Sequence, residues 1–119
     1  MRYALLVYAD QSAWADYTDE EAGRLRAESM PRWVALFEEM HKADPQVTGR
    51  ELEAASEAKV VRVVDGRRVV TDGPFAETKE QLGGVFLTTL PDLDEAIRIA
   101  ALVPTAEHGS LEIRPIVER

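Results

Sequence analysis

The sequence contains no cysteine, which removes disulfides, thiolate metal sites and a cysteine nucleophile from consideration. Histidine is almost absent too: His41 and His108 are the only two in 119 residues. So far apart, they do not form a ligand set, and neither a metal nor a cofactor is expected. Positive charge is scarce. Fourteen Lys and Arg stand against twenty-two Asp and Glu, a net charge of −8, the wrong sign for a chain that tracks phosphates, so no nucleic-acid binding is expected. No apolar run approaches the ~18 residues of a membrane span. Neither GxGxxG, a Walker loop, GxSxG nor HExxH occurs, so nucleotide-binding, P-loop, serine-hydrolase and zincin readings lack support. What is present, 45% hydrophobic and 30% charged residues, is the make-up of a single soluble domain over residues 1–119, expected in the cytoplasm.

The pattern of residues predicts the elements. Tyr3–Tyr8 is an apolar run too short for a helix and reads as a strand buried on both faces, central in a sheet. Trp14 and Tyr17 follow in a polar loop. Thr18 with Glu21 three residues later is a capping-box pattern. Ala22, Leu25, Met30, Trp33, Phe37 and Met40 then recur at helical spacing. Pro31 removes a backbone donor and predicts a kink or a division near Met30. Asp44-Pro45 ends the helix, after His41 and Lys42 in the last turn.

Beyond Gln46 the period changes. Gln46–Leu52 reads as a strand weakened by Gly49. Lys59–Val64 and Arg67–Thr71 flank Asp65-Gly66, the strongest short hairpin signal. Asp72–Gly84 reads as a loop and Val85–Leu90 as a strand, with Gly83-Gly84 marking a bulge or a close backbone approach. Asp92 caps a second helix, Pro104 closes it, and Leu111–Val117 is the last strand. Without the hairpin the order is βαββαβ, the split βαβ of a ferredoxin-like α+β fold. In that order the last strand is at an edge, where Pro115 is tolerated. A sheet with helices on one face leaves the other bare, a motive for dimerisation; Val61, Val63, Val69 and Phe86 are candidates for that face or for the interface.

The charged residues cluster in Asp72–Gly84. Asp72 suits two roles, an Asx-type turn bond or an acid–base group. Lys79 and Glu80 read equally as a solvated pair or as ligand contacts. His41 at a helix end is a surface charge partner. His108, in the loop before the last strand, is a turn residue or a second acid–base candidate. Glu112 and Arg114 alternate with Leu111 and Ile113 and therefore share the other face of their strand.

These residues resemble the YCII-related family, in the subgroup named for its DGPF motif. The motif stands here as Asp72-Gly73-Pro74-Phe75 and continues from Ala76 to Gly84. Supporting matches are the Tyr3–Tyr8 strand with Asp10 and Trp14, the Asp92–Ala96 helix start, and the run from His108-Gly109-Ser110 to Pro115. The resemblance implies a ferredoxin-like subunit that pairs into a dimeric α/β barrel. Relatives with such a barrel include muconolactone isomerases and a chloromuconate-dehalogenating enzyme, with a pocket between sheet and helices. YCII proteins outside this subgroup carry a His–Asp dyad; here Ala27 follows Arg24 where an RxxH-type histidine would stand, a departure from that pattern. The subgroup also resembles domains found beside extracytoplasmic-function sigma factors.

Three expectations result. One is a homodimer that binds a small organic acid, with isomerase, hydrolase or lyase chemistry. Asp72 and His108 would be its acid–base candidates, and Lys79, Glu80, Arg114 and Asp10 its ligand contacts. The second is a regulatory module without turnover that contacts a sigma factor. In the third, the DGPF loop is purely architectural.

Overall fold

Thr18 accepts the Glu21 amide at 3.1 Å, and helix α1 runs unbroken from Asp19 to Ala43. The computed structural model describes all residues, 1–119. Pro31 does not divide the helix; it lies inside it on an exposed side, where water can take up the carbonyl freed by the missing donor. Asp92 caps α2 (Leu93–Leu102) in the same way, accepting the Glu95 amide at 2.9 Å.

Four strands make the main sheet: β1 (Arg2–Ala9), β2 (Thr48–Glu51), β5 (Gln81–Thr89) and β6 (Ser110–Pro115), in the order β2-β5-β1-β6. All pairings in it are antiparallel. Between β2 and β5 the chain forms a separate hairpin of β3 (Lys59–Val64) and β4 (Arg67–Asp72). The mixed α+β arrangement is consistent with a ferredoxin-like fold, with β1 central and β6, carrying Pro115, at an edge. Asp65 and Gly66 both take positive φ, 51° and 75°, which the tight hairpin turn requires.

β1 departs from its sequence reading. Tyr3, Leu5 and Val7 are buried, whereas Ala4, Leu6 and Tyr8 are only partly so. Both helices pack on the first set. The core joins Tyr3 and Leu5 to Leu36 and Met40 of α1 and to Ala96 and Ile99 of α2. Phe86 is on this side as well, against Phe37 at 6.5 Å between ring centres, not on the bare face. Its ring lies over Gly49, where a Cβ would come within 2.5 Å; the glycine that weakens β2 makes room for the ring.

Asp44 ties the end of α1 to β5. Its carboxylate accepts the Thr88 hydroxyl at 3.1 Å, the Thr89 amide at 2.9 Å and the Gln46 amide at 3.0 Å. Arg98 of α2 bonds Glu95 and reaches Glu39 of α1, and Arg32 pairs with Glu107 in the turn before β6.

The other face of the sheet is uncovered. Alternation and register place Ala4, Leu6 and Tyr8 beside Val85 and Leu87 on one flank and Glu112 and Arg114 on the other. Only 12 of 119 residues are buried, and the radius of gyration is 16.5 Å, against about 13.5 Å for a compact chain of this length. The molecule is a slab of 47 × 46 × 20 Å. No helix is long and apolar enough to cross a membrane.

Candidate functional site

The end of β1 gathers the polar groups of the bare face. Tyr8 donates its hydroxyl to Glu112 Oε1 at 3.1 Å, across two strands and 104 positions of sequence. Burial raises the Tyr8 pKa, the bond to Glu112 and its negative charge raise it further, and nearby Arg114 opposes the shift. The register explains the meeting: Ala4 faces Arg114, Leu6 faces Glu112 and Tyr8 faces Ser110, so the polar residues of β6 flank the apolar row of β1.

A bulge lies on the opposite flank of Tyr8. Val7 pairs with Gly84 but Tyr8 pairs with Leu82, leaving Gly83 without a β1 partner. Gly83 gives its carbonyl to the Leu52 amide instead, at 2.9 Å. Bulges bend a strand and re-aim its neighbours. The bulge expected from Gly83-Gly84 is present, but inside a strand that begins at Gln81, four residues earlier than the sequence pattern predicts.

Gly109 closes the third side. A Cβ there would lie 2.2 Å from the Tyr8 carbonyl oxygen, so only glycine lets β6 enter beside β1 at this point. Next to it, Ser110 donates its hydroxyl to Glu80 Oε2 at 2.8 Å, which fastens the motif loop to the start of β6. The loop also holds itself: the Gln81 side-chain amide donates to the carbonyls of Ala76 and Thr78, each at 2.9 Å.

The six residues singled out from sequence separate into two sets. Arg114, opposite Ala4 in the register, acts on Tyr8 by charge, Glu80 bonds Ser110, and Asp10 and Lys79 lie near enough to interact by charge at the end of β1. Asp10 caps the turn Gln11–Trp14, accepting the Ser12 hydroxyl at 2.5 Å and its amide at 3.0 Å. The Ser12 hydroxyl is the main reason its pKa is lowered, with Lys79 adding to the effect. Lys79 and Arg114 form no ion pair within the chain and are available to an anion.

Asp72 and His108 stand apart. Asp72 pairs with Lys59 across the root of the hairpin and is 85% exposed; it makes no turn bond of its own. His108 is exposed at the end of the turn Pro104–Glu107, its amide bonded to the Thr105 carbonyl. Neither side chain bonds to the Tyr8 group. The rest of the DGPF motif also serves the hairpin root. Gly73 approaches Ala58 so closely that a Cβ would lie 2.9 Å from the alanine's own. Phe75 lies 5.5 Å from the Arg62 guanidinium.

Sequence reading missed Tyr8 and Ser110. Tyr8 ends an apolar run and looked like a core aromatic; only cross-strand pairing reveals its partner. Trp14 and Tyr17, in the loop after β1, stack edge-to-face on each other at 5.8 Å, with Arg26 over the Trp14 ring, and stay exposed.

One shallow cleft of about 250 Å³ lies between Arg26, Glu51, Leu52 and Glu53. Another, of about 280 Å³, includes Arg2, Thr48, Leu87 and Thr89 at the opposite end of the bare face.

A sheet with helices on one side and a tyrosine–carboxylate–arginine group on the other defines a small α+β protein whose polar site opens on an uncovered face. The chain belongs to the YCII-related family, whose domain matches residues 1–119. It is 37% identical over 121 residues to a Rhizobium meliloti (strain 1021) protein described as uncharacterised, covering 98% of this chain and 92% of the relative.

Proposed function

We propose that the protein is a homodimer whose bare sheet faces meet to form an α/β barrel, and that it binds a small organic acid beside Tyr8. The supporting observation is the convergence of Tyr8, Glu112 and Arg114 on a face with an apolar centre and no cover of its own. Covering this face turns an open strand end into a walled pocket. Arg114 is the principal anion contact, suited to a carboxylate by its planar fork. Lys79 adds charge from the loop, and Glu80, held by Ser110, orients that loop. Tyr8 and Glu112 are a proton donor and acceptor already in hydrogen-bond contact, the equipment for an isomerisation or elimination that shifts one proton. Asp72, at the hairpin root, is not needed for this chemistry.

Thermal denaturation with benzoate, succinate and muconate tests the reading. At least one carboxylate should raise the Tm of the wild type and fail to do so in Arg114→Ala, with Arg119→Ala as the control. Three carboxylates without effect, or equal shifts in Arg114→Ala, would sink the proposal.

The acidic surface supports a second reading, a regulatory module for a basic protein such as an extracytoplasmic-function sigma factor. Stoichiometric co-purification with a sigma factor would support it. Turnover of a carboxylate together with a negative pull-down would remove it.

A further inference from the structure

The β3–β4 hairpin leaves the body of the chain as an arm. Its strands bond only to each other, and every residue from Val61 to Asp72 is exposed. A lone two-stranded ribbon is marginal in water, and this one is apolar on both faces. Val61 and Val70 face each other in the ladder, with Val63 two residues on and 73% exposed. The opposite face carries Val64 and Val69, and at its root Phe75 is 78% exposed. So much uncovered apolar surface on a projecting element marks a contact site.

Charge identifies what the contact is with. From Lys59 to Asp72 the arm carries four basic residues, Lys59, Arg62, Arg67 and Arg68, against Asp65 and Asp72. It is therefore +2 in a chain of net −8, which leaves −10 on the body. Parts of the body are acidic without relief: residues 10–21 hold five acidic side chains and no Lys or Arg, and residues 51–57 hold three and none. A cationic, valine-rich ribbon attached to an anionic body complements another copy of that body.

We propose that the arm of one chain docks on the body of a second copy, burying its valines and setting Arg67 and Arg68 against the partner's acidic surface. Under two-fold symmetry each subunit clasps the other. The inference rests on the homodimer proposed above but assigns it a contact separate from the sheet faces. The arm makes no side-chain bond to the Tyr8 group, so changes in it leave the binding residues in place.

The test uses the full chain in ¹⁴N and ¹⁵N forms, mixed and allowed to exchange subunits, with photoreactive benzoylphenylalanine at position 63. Irradiation should join arm peptides of one isotope to body peptides of the other. Sedimentation of the Arg67→Glu/Arg68→Glu variant should show at least tenfold weaker dimerisation at low salt, with the wild-type circular dichroism spectrum. Cross-links within one isotope only, or an unchanged dimer constant, would overturn the arm contact while leaving sheet-face pairing intact. A chain that stays monomeric at every concentration would overturn both. Binding of a labelled DNA duplex, abolished by the same charge reversal, would also overturn it by making the arm a nucleic-acid hook.

Discussion

Gly109 lies against the Tyr8 carbonyl, and this contact sets the spacing of the two strands that carry the candidate site. A Cβ at Gly109 would also crowd the Thr105 side chain and carbonyl, at 3.1 and 3.2 Å. Backbone cannot move aside as the end of a long side chain can, so Gly109→Ala should cost about 2–3 kcal/mol. Gly23, exposed within α1, has nothing within 4 Å of its Cβ position. Gly23→Ala should stabilise by about 0.5–1 kcal/mol. Urea unfolding of both variants checks the pair; equal effects would mean that the β1–β6 contact is looser than described.

Asp44 links stability to pH. Burial pushes its carboxyl up, but the amide bonds from Thr89 and Gln46 and the Thr88 hydroxyl outweigh this, so its pKa is lowered from 3.8. A depressed carboxyl stabilises the fold fully above the ordinary carboxylate range and loses that contribution as pH falls through its folded value. Asp44→Ala should cost about 1–3 kcal/mol at pH 7. The difference from wild type should shrink on acidification below pH ~4. Urea midpoints taken along a pH series provide the comparison.

The Tyr8–Glu112 bond has a spectroscopic signature. In an NMR titration Tyr8 should ionise above the usual value of 10.0, and Tyr8→Phe should remove its signal. Glu112→Gln should bring it part of the way down, because the effect of burial persists when the carboxylate is gone. A Tyr8 titration unmoved by Glu112→Gln would mean that the two do not interact in solution.

Asp72 separates architecture from chemistry. Its only partner is Lys59, and both are exposed, so Asp72→Ala should change stability by less than about 1 kcal/mol. Carboxylate binding beside Tyr8, read by the same thermal shift, should be unaffected. A loss of binding would return Asp72 to the acid–base role that its motif first suggested.

Much of the architecture was legible because its signals are local. Thr18 and Asp92 cap their helices through bonds spanning three residues, and Asp65-Gly66 turns the hairpin within two. The division expected at Pro31 did not occur because its cost depends on what surrounds it, and an exposed helix face tolerates the missing donor. The motif loop divides in a way its charge pattern does not show: Asp72, Gly73 and Phe75 are occupied with the hairpin root, whereas Glu80 bonds Ser110 and Gln81 and Leu82 pair with the end of β1.

By itself the sequence determined the order of helices and strands, the hairpin turn, the caps and the alternation that puts Glu112 and Arg114 on one face. Each depends on interactions within a few residues, or on a period that repeats along one element. Tertiary structure alone decided that Tyr8 meets Glu112, that Asp72 does not bond to them and that the hairpin stands clear of the body. Those outcomes depend on strand register between segments up to about a hundred residues apart, where a slip of one residue would turn every side chain to the opposite face.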